Sequence, residues 1–189
     1  DNQLLCVIKR SYARDDIQNY RLETHVDATP VGDVFRASHQ ILKKDYLIRI
    51  IDAGTFGTDA VKALLSDARK LSAVIHPGVA RVFDCGSLAD GSVYVVSELF
   101  DAQTLRECLE NVGAPDEVTA VMIARQAAEA LEAIHSSGVL HRNLRPENVL
   151  LTKDAAGELQ VKLQNADFGG LFEKSVQTTG DLYLTALRY

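Results

Sequence analysis

Residues 141–151 read HRNLRPENVLL and gather an imidazole, two guanidinium groups, a carboxylate and two carboxamides. Guanidinium groups hold anionic oxygens in a fixed geometry, and an amide oxygen such as that of Asn148 can ligate a hard cation. A loop of this composition suits the transfer of a charged group to a hydroxyl. What the loop lacks is a base at its centre. Asn143 carries a neutral carboxamide, which has essentially no basicity near pH 7 and cannot take the proton of a hydroxyl as a carboxylate can.

The chain around this loop has 189 residues, 47% of them apolar, enough for one substantial core or two small lobes. Its formal charge of −6 argues against nucleic acid or an anionic membrane surface as the main partner. No apolar run approaches the length of a membrane span, and the charges within DNQLLCVIKRSYARDD are unlike a secretory signal. Cys6, Cys85 and Cys108 are odd in number and widely spaced, which leads us to expect incidental thiols in a reduced, cytoplasmic setting. The first residue is Asp and the last stretch is LTALRY, so the chain reads as a piece of a longer protein.

Strand-like segments fill residues 20–49, with turn signals at Pro30–Gly32 and at Lys43–Lys44. DAVKALLSDARKLSAVI follows with Val61, Leu64, Leu65, Leu71 and Ile75 at helical spacings, and HPG ends it. VARVFDCG and SVYVVSELF read as strands around a turn at Asp90–Gly91. APDEVTAVMIARQAAEALEAIHSSG is the strongest helix, with Pro115 near its start and Gly138 past its end. Short strands at VLL and LQVKL flank a turn containing Gly157. Strands first and helices second imply an α+β fold with a mainly antiparallel sheet.

The order of these motifs resembles a protein kinase domain of the bacterial-like Ser/Thr type, from about Tyr20 to Tyr189. The resemblance implies a bilobal fold. Residues 1–19 would be a flank or linker, 20–99 a small lobe of antiparallel sheet plus one helix, and 100–189 a helical lobe cut short after the activation segment. In VDATPVGDV only Gly32 and Val34 of the family's glycine loop remain, while Asp27 and Thr29 stand at glycine positions and Pro30 removes a backbone donor. An ordinary β-turn accounts for this stretch better than a phosphate cradle does. In YLIRI, Arg49 stands for the phosphate-holding lysine and Leu47 for the small residue above the adenine. An Arg is no neutral swap for Lys. Asp67 matches the helix glutamate, and a longer cation facing a shorter anion suggests a structural Arg49–Asp67 pair.

Ser97 falls at the gatekeeper position, and backbone groups near Glu98 and Phe100 at the hinge. His141 reads as structural. Arg142 would meet an activation-segment phosphate, with Ser175, Thr178 and Thr179 as candidates. Asn143 stands at the base position and Arg145 replaces the lysine near the transferred phosphate. Asn148 matches the asparagine that supports a magnesium ion. For the metal-binding aspartate, letter identity selects Asp167 within DFG, whereas strand phase after Lys162–Leu163 selects Asn165. Both stay open.

Phosphoryl transfer depends on positioning and on neutralising charge, and several of the groups that do so are changed here. The resemblance therefore implies a pseudokinase that acts by binding an active kinase, a phosphopeptide-reading module or its own flanking domains. The alternatives are an active or residually active Ser/Thr kinase with ATP and Mg²⁺, and a nucleotide switch that binds ATP without metal.

Overall fold

The computed structural model describes residues 16–29, 32–168 and 170–171. Strands β1 (Asp16–Ile17), β2 (Tyr20–Thr29), β3 (Gly32–His39) and β4 (Asp45–Ile51) run antiparallel in sequence order, and β1 extends the sheet into the segment expected to be a flank. Two helices follow, α1 (Ala53–Phe56) and α2 (Thr58–Ser72). The sheet is completed by β5 (Val82–Ser87) and β6 (Val93–Glu98), with β6 inserted beside β4 to give the order β1-β2-β3-β4-β6-β5. Gly91, at a positive φ of 86°, makes the β5–β6 turn where Asp90 and Gly91 announced it.

Beyond the hinge lie β7 (Gln103–Thr104), α3 (Leu105–Asn111), α4 (Glu117–Ser136), β8 (Val149–Lys153) and β9 (Leu159–Leu163), with β7, β8 and β9 forming a second antiparallel sheet. Helix α3 starts at a capping box in which Thr104 and Glu107 satisfy each other's backbone N–H groups. Helix α4 starts where Asp116 accepts from the Thr119 N–H at 3.0 Å, just after Pro115. The fold is α+β, with an antiparallel sheet in its first half and helices in its second.

The period-two alternation of β4 decides what each face of the first sheet does. Tyr46, Ile48 and Ile50 point to one side and build a core with Ile17, Tyr20, Ala37, Tyr94 and Val96. Leu47, Arg49 and Ile51 point to the other side, toward α2 and the second half of the chain. There Leu64, Ala68 and Leu71 of α2 meet Val95 of β6, Ile134 of α4 and Val161 and Leu163 of β9 in one continuous core. Each fully buried aliphatic side chain in that cluster contributes about 1.5–3 kcal/mol. The two halves are also stitched by backbone bonds, Ala80 N to Leu163 O and Leu163 N to Gly78 O, both 2.8 Å.

The helical stripe expected through Ile75 stops short. Helix α2 ends at Ser72, tightened by a bond from the Ala73 N–H to Lys70 O, and Ile75 lies in the irregular stretch that follows, 81% exposed. The short helices α1 and α3 carry too few periodic positions to stand out in the sequence.

Candidate functional site

Four elements converge where the two halves meet: the tip of the β2–β3 hairpin, the middle of β4, the turn before β8 and the turn after β9. The hairpin pairs right to its tip, with Thr29 opposite Gly32. Thr29 Oγ1 donates to Gly32 O at 2.8 Å, and a Cβ at Gly32 would lie 2.2 Å from Ile50 O. This is a closed hairpin rather than a loop held open around a ligand. Asp27 stands opposite Val34 and is exposed.

On β4, the side chain of Arg49 leaves the strand on the inner face. One guanidinium nitrogen donates to Thr29 Oγ1 at 2.9 Å and another to Asn165 Oδ1 at 3.1 Å. The guanidinium also lies over the Phe168 ring, 4.6 Å from its centroid. Burial lowers the pKa of Arg49, opposed by the charges of Asp167 and Asp27. The expected Arg49–Asp67 pair does not form. Asp67 instead pairs with Lys70 one helical turn away, at 3.2 Å. An i,i+3 partner on the same helix is always within reach, whereas Arg49 is drawn inward by a hydroxyl, an amide oxygen and an aromatic face.

After β9 the chain turns through Asn165 at φ 64°, a left-handed conformation that Asn tolerates better than most residues. This turn aims the Asn165 amide at Asn148, whose Oδ1 accepts from Asn165 Nδ2 at 2.8 Å. Asn148 is buried, and its own Nδ2 donates to the Asn143 carbonyl at 2.7 Å. A single chain of hydrogen bonds thus runs from Gly32 through Thr29, Arg49, Asn165 and Asn148 to Asn143.

Asp167 lies in the short 3₁₀ turn Ala166–Phe168 and is buried, with Oδ2 unpartnered. Burial pushes its carboxyl up to about 7, against the pull of its own backbone N–H and of Arg49. Of the two residues left open for the metal position, Asn165 is the one that bonds Asn148. Gly169 of the DFG letters lies outside the described residues.

Leu47, Val34, Ser97, Glu98, Arg49, Asn165 and Asp167 all line one cavity of about 40 Å³. That holds a few waters, far below the 300–1,000 Å³ of an ordinary small-molecule site. Behind the hinge, Glu98 accepts from the Arg81 N–H at 3.2 Å and pairs with Lys162 at 3.5 Å, while the Lys162 ammonium sits 4.6 Å from the Phe100 ring centroid.

Arg145 is committed elsewhere. Its guanidinium grips Glu147 with two bonds, 2.8 and 3.2 Å, and Arg106 of α3 reaches the same carboxylate at 3.1 Å. The Arg145 bonds, foremost, hold the Glu147 carboxyl down at about 2. Glu147 and Arg106 were not singled out from the sequence. The alternation Arg-Pro-Glu at 145–147 was the local signal, but Arg106 is distant in sequence. His141 is 2% exposed, and burial lowers its pKa. Arg142 adopts φ 54°, and a Cβ added at Gly170 would lie 3.3 Å from its guanidinium. Ser175, Thr178 and Thr179 lie outside the described residues.

Taken together, these residues do not fit a magnesium ion. Mg²⁺ demands hard, preferably anionic, oxygens in octahedral array. Two neutral carboxamides bonded to each other, with a guanidinium on one of their oxygens, offer no anionic oxygen, and the cavity's inner end adds a single carboxylate, that of Asp167. Among the described residues no group of three or more His, Cys, Asp and Glu side chains could hold a metal, and no helix is long and apolar enough to cross a membrane.

Comparisons with known proteins agree with this geometry at the level of the fold. The serine/threonine-protein kinase pkn2 of Myxococcus xanthus is 42% identical over 103 residues, 54% of this chain and 12% of that protein. PknE of Mycobacterium tuberculosis is 31% identical over 137 residues, 71% of this chain and 24% of that protein. The chain therefore spans a quarter or less of these curated relatives. A solved structure, the apo form of PpkA-294, shares the fold at a TM-score of 0.71 and 17% identity, covering 88% of this chain and 64% of that one. The protein kinase domain family matches residues 22–184, and the chain belongs to that family, with Ser/Thr protein kinases of bacteria among its relatives.

Proposed function

We propose that this kinase-fold domain is a pseudokinase, acting as a binding, scaffolding or allosteric element in cytoplasmic signalling and not as a phosphotransferase. The observation that carries the reading is the bond between Asn165 and Asn148, with Arg49 closing on the Asn165 oxygen. Where metal and triphosphate would need carboxylate oxygens and open space, two amides and a guanidinium satisfy one another. Asn143 offers no base, and Arg145 is held by Glu147. Each missing catalytic group of this kind costs a few kcal/mol of transition-state stabilisation, although members of one unit are not additive. Its partner, on this reading, is an active kinase, a phosphopeptide-binding module or a flanking domain.

The test is a thermal-shift titration with ATP, with and without Mg²⁺, on the protein and on Asp167→Ala. A ligand at a hundred times its dissociation constant adds about 2.7 kcal/mol, several degrees at the midpoint. No shift under any condition supports the pseudokinase. A magnesium-dependent shift that Asp167→Ala abolishes supports an active kinase instead, a reading motivated by the orphaned Oδ2 of Asp167. A shift without magnesium supports the nucleotide switch, and would mean that the cavity beside Ser97, about 40 Å³ without ligand, opens to admit the base.

A further inference from the structure

At the hinge end of the first sheet, on the face turned away from Arg49, cations gather around one aromatic ring. Lys44 Nζ and the Arg81 guanidinium stand 5.4 and 5.2 Å from the centroid of the half-buried Phe83 ring, and Lys44 Nζ is 5.9 Å from that of Tyr46. Tyr46 and Phe83 meet edge to face at 5.1 Å, which ties the platform to the outer core. Lys44 and Arg81 are exposed, as is Lys43 in the adjoining turn. A ring attracts a cation through its quadrupole but leaves the charge uncompensated. Among the described residues no carboxylate pairs with any of the three, and the neighbouring acids are engaged: Asp45 with Arg36, Glu98 with Lys162, and Asp84 with the Tyr94 hydroxyl.

An exposed aliphatic pair adjoins these cations. Ile41 and Leu42, in the β3–β4 turn, are 74% and 64% exposed. The turn itself is held firmly. His39 Nδ1 accepts from the N–H groups of both residues at 3.2 Å, while His39 N donates to Lys44 O and Lys43 N to His39 O, both at 2.9 Å. The His39 ring stands edge-on to Tyr20, 4.9 Å between centroids. Two large apolar side chains are thus presented to solvent on a backbone already ordered, which lowers the entropy lost in any contact they make. An apolar patch of this kind, bordered by charge, marks an interaction surface.

Charge complementarity selects the occupant. We propose that this end of the sheet docks an extended acidic segment of a partner protein, one that carries carboxylates and aliphatic side chains on the same face. Residues i and i+2 of an extended segment point the same way about 7 Å apart, so successive carboxylates can meet Lys44 and Arg81 around Phe83 while the next aliphatic residues pack on Ile41 and Leu42. An anionic bilayer is disfavoured because it meets the field of a whole chain of net charge −6, whereas a short segment meets the local cations. A second copy across a twofold axis would set the same three cations against one another. The patch lies on the opposite face of the sheet from the nucleotide centre, and its occupancy does not depend on phosphotransfer.

The test uses a fluorescein-labelled peptide with Glu, Glu, Leu and Leu at alternate positions and Ser between them, and a counterpart with Lys for each Glu. Fluorescence anisotropy is recorded with the protein and with two variants, Lys44→Gln/Arg81→Gln, which keeps aliphatic stems beside the ring, and Ile41→Ser/Leu42→Ser at the exposed turn. Thermal midpoints are measured alongside. We expect the acidic peptide to bind, its affinity to fall with salt, and the variants to bind at least tenfold and fivefold more weakly, respectively, with unchanged midpoints. Absence of binding, equal affinity for the basic counterpart, or a Lys44→Gln/Arg81→Gln variant within twofold of the parent would each overturn the assignment. Co-sedimentation with phosphatidylglycerol vesicles that both variants abolish would overturn it in favour of a membrane. Concentration-dependent dimerisation that the peptide abolishes would overturn it in favour of a second copy.

Discussion

Asn165 Nδ2 donates to Asn148 Oδ1 across 2.8 Å, while Asn165 Oδ1 accepts from Arg49 at 3.1 Å. One carboxamide therefore uses both of its ends to join strand β4 to the turn that precedes β8. The two carboxamides would serve in a metal site only if both oxygens faced the ion, and here one oxygen faces a guanidinium and the other an N–H.

Replacing Asn165 should separate the structural role from a latent chemical one. Asn165→Ala leaves an Arg49 N–H and the Asn148 oxygen without partners, and we expect a loss of about 1–3 kcal/mol in chemical denaturation. Asn165→Asp keeps an acceptor for Arg49 but turns an oxygen toward Asn148 Oδ1. We expect that variant alone to gain thermal stability on addition of Mg²⁺. An equal response of the parent protein to Mg²⁺ would contradict the account given of this site.

The pH dependence of stability should carry the mark of Asp167. Its carboxyl titrates near 7 in the folded protein, raised from an ordinary value of 3.8 mainly by burial. Between those values the folded protein retains a proton that the unfolded chain has lost. Stability from this group therefore falls as pH rises through the window and levels off above it. Asp167→Asn keeps the volume and removes the charge. Its stabilising effect should be larger at pH 8 than at pH 4 by roughly 2–4 kcal/mol, read from denaturation midpoints at the two pH values. A difference that does not vary with pH would mean that Asp167 is not buried as an isolated acid.

Gly32 sits at the hairpin tip with φ 141°, in a region that side chains rarely enter, and a Cβ there would strike Ile50 O. Gly32→Ala should cost about 2 kcal/mol or more. It should also loosen the Thr29–Arg49 contact, seen as faster amide exchange along β3 and β4. Gly57, whose added Cβ would meet nothing, provides the control for strain without a clash.

The sequence and the fold agree most closely where a local signal dominates. The α4 helix was legible from Pro115 and Gly138, because helix boundaries and periodicity act within a few residues. The β8–β9 hairpin was legible from Gly157, which takes φ 84° at its turn. Ile75 misled because a helix end is decided by one or two hydrogen bonds and not by the spacing of apolar letters. Asp67 misled because matching the lengths of two side chains says nothing about which nearer partner each will find.

By itself the sequence determined the class of fold, the order of its longer strands and helices, and the absence of a carboxylate at position 143 between Arg142 and Arg145. Those depend on residue type and on periodicities of two and 3.6, which short segments carry on their own. Only the tertiary structure brought Asn165 to Asn148 and buried Asp167, sent Arg49 to Asn165 instead of Asp67, and bound Arg145 to Glu147 beside Arg106. These outcomes depend on the left-handed turn at Asn165 and on contacts between residues up to 116 positions apart. Asn165 and Asp167 stand two positions apart in one short turn, so which of them faces Asn148 is set by how that turn packs and not by a local preference of either residue.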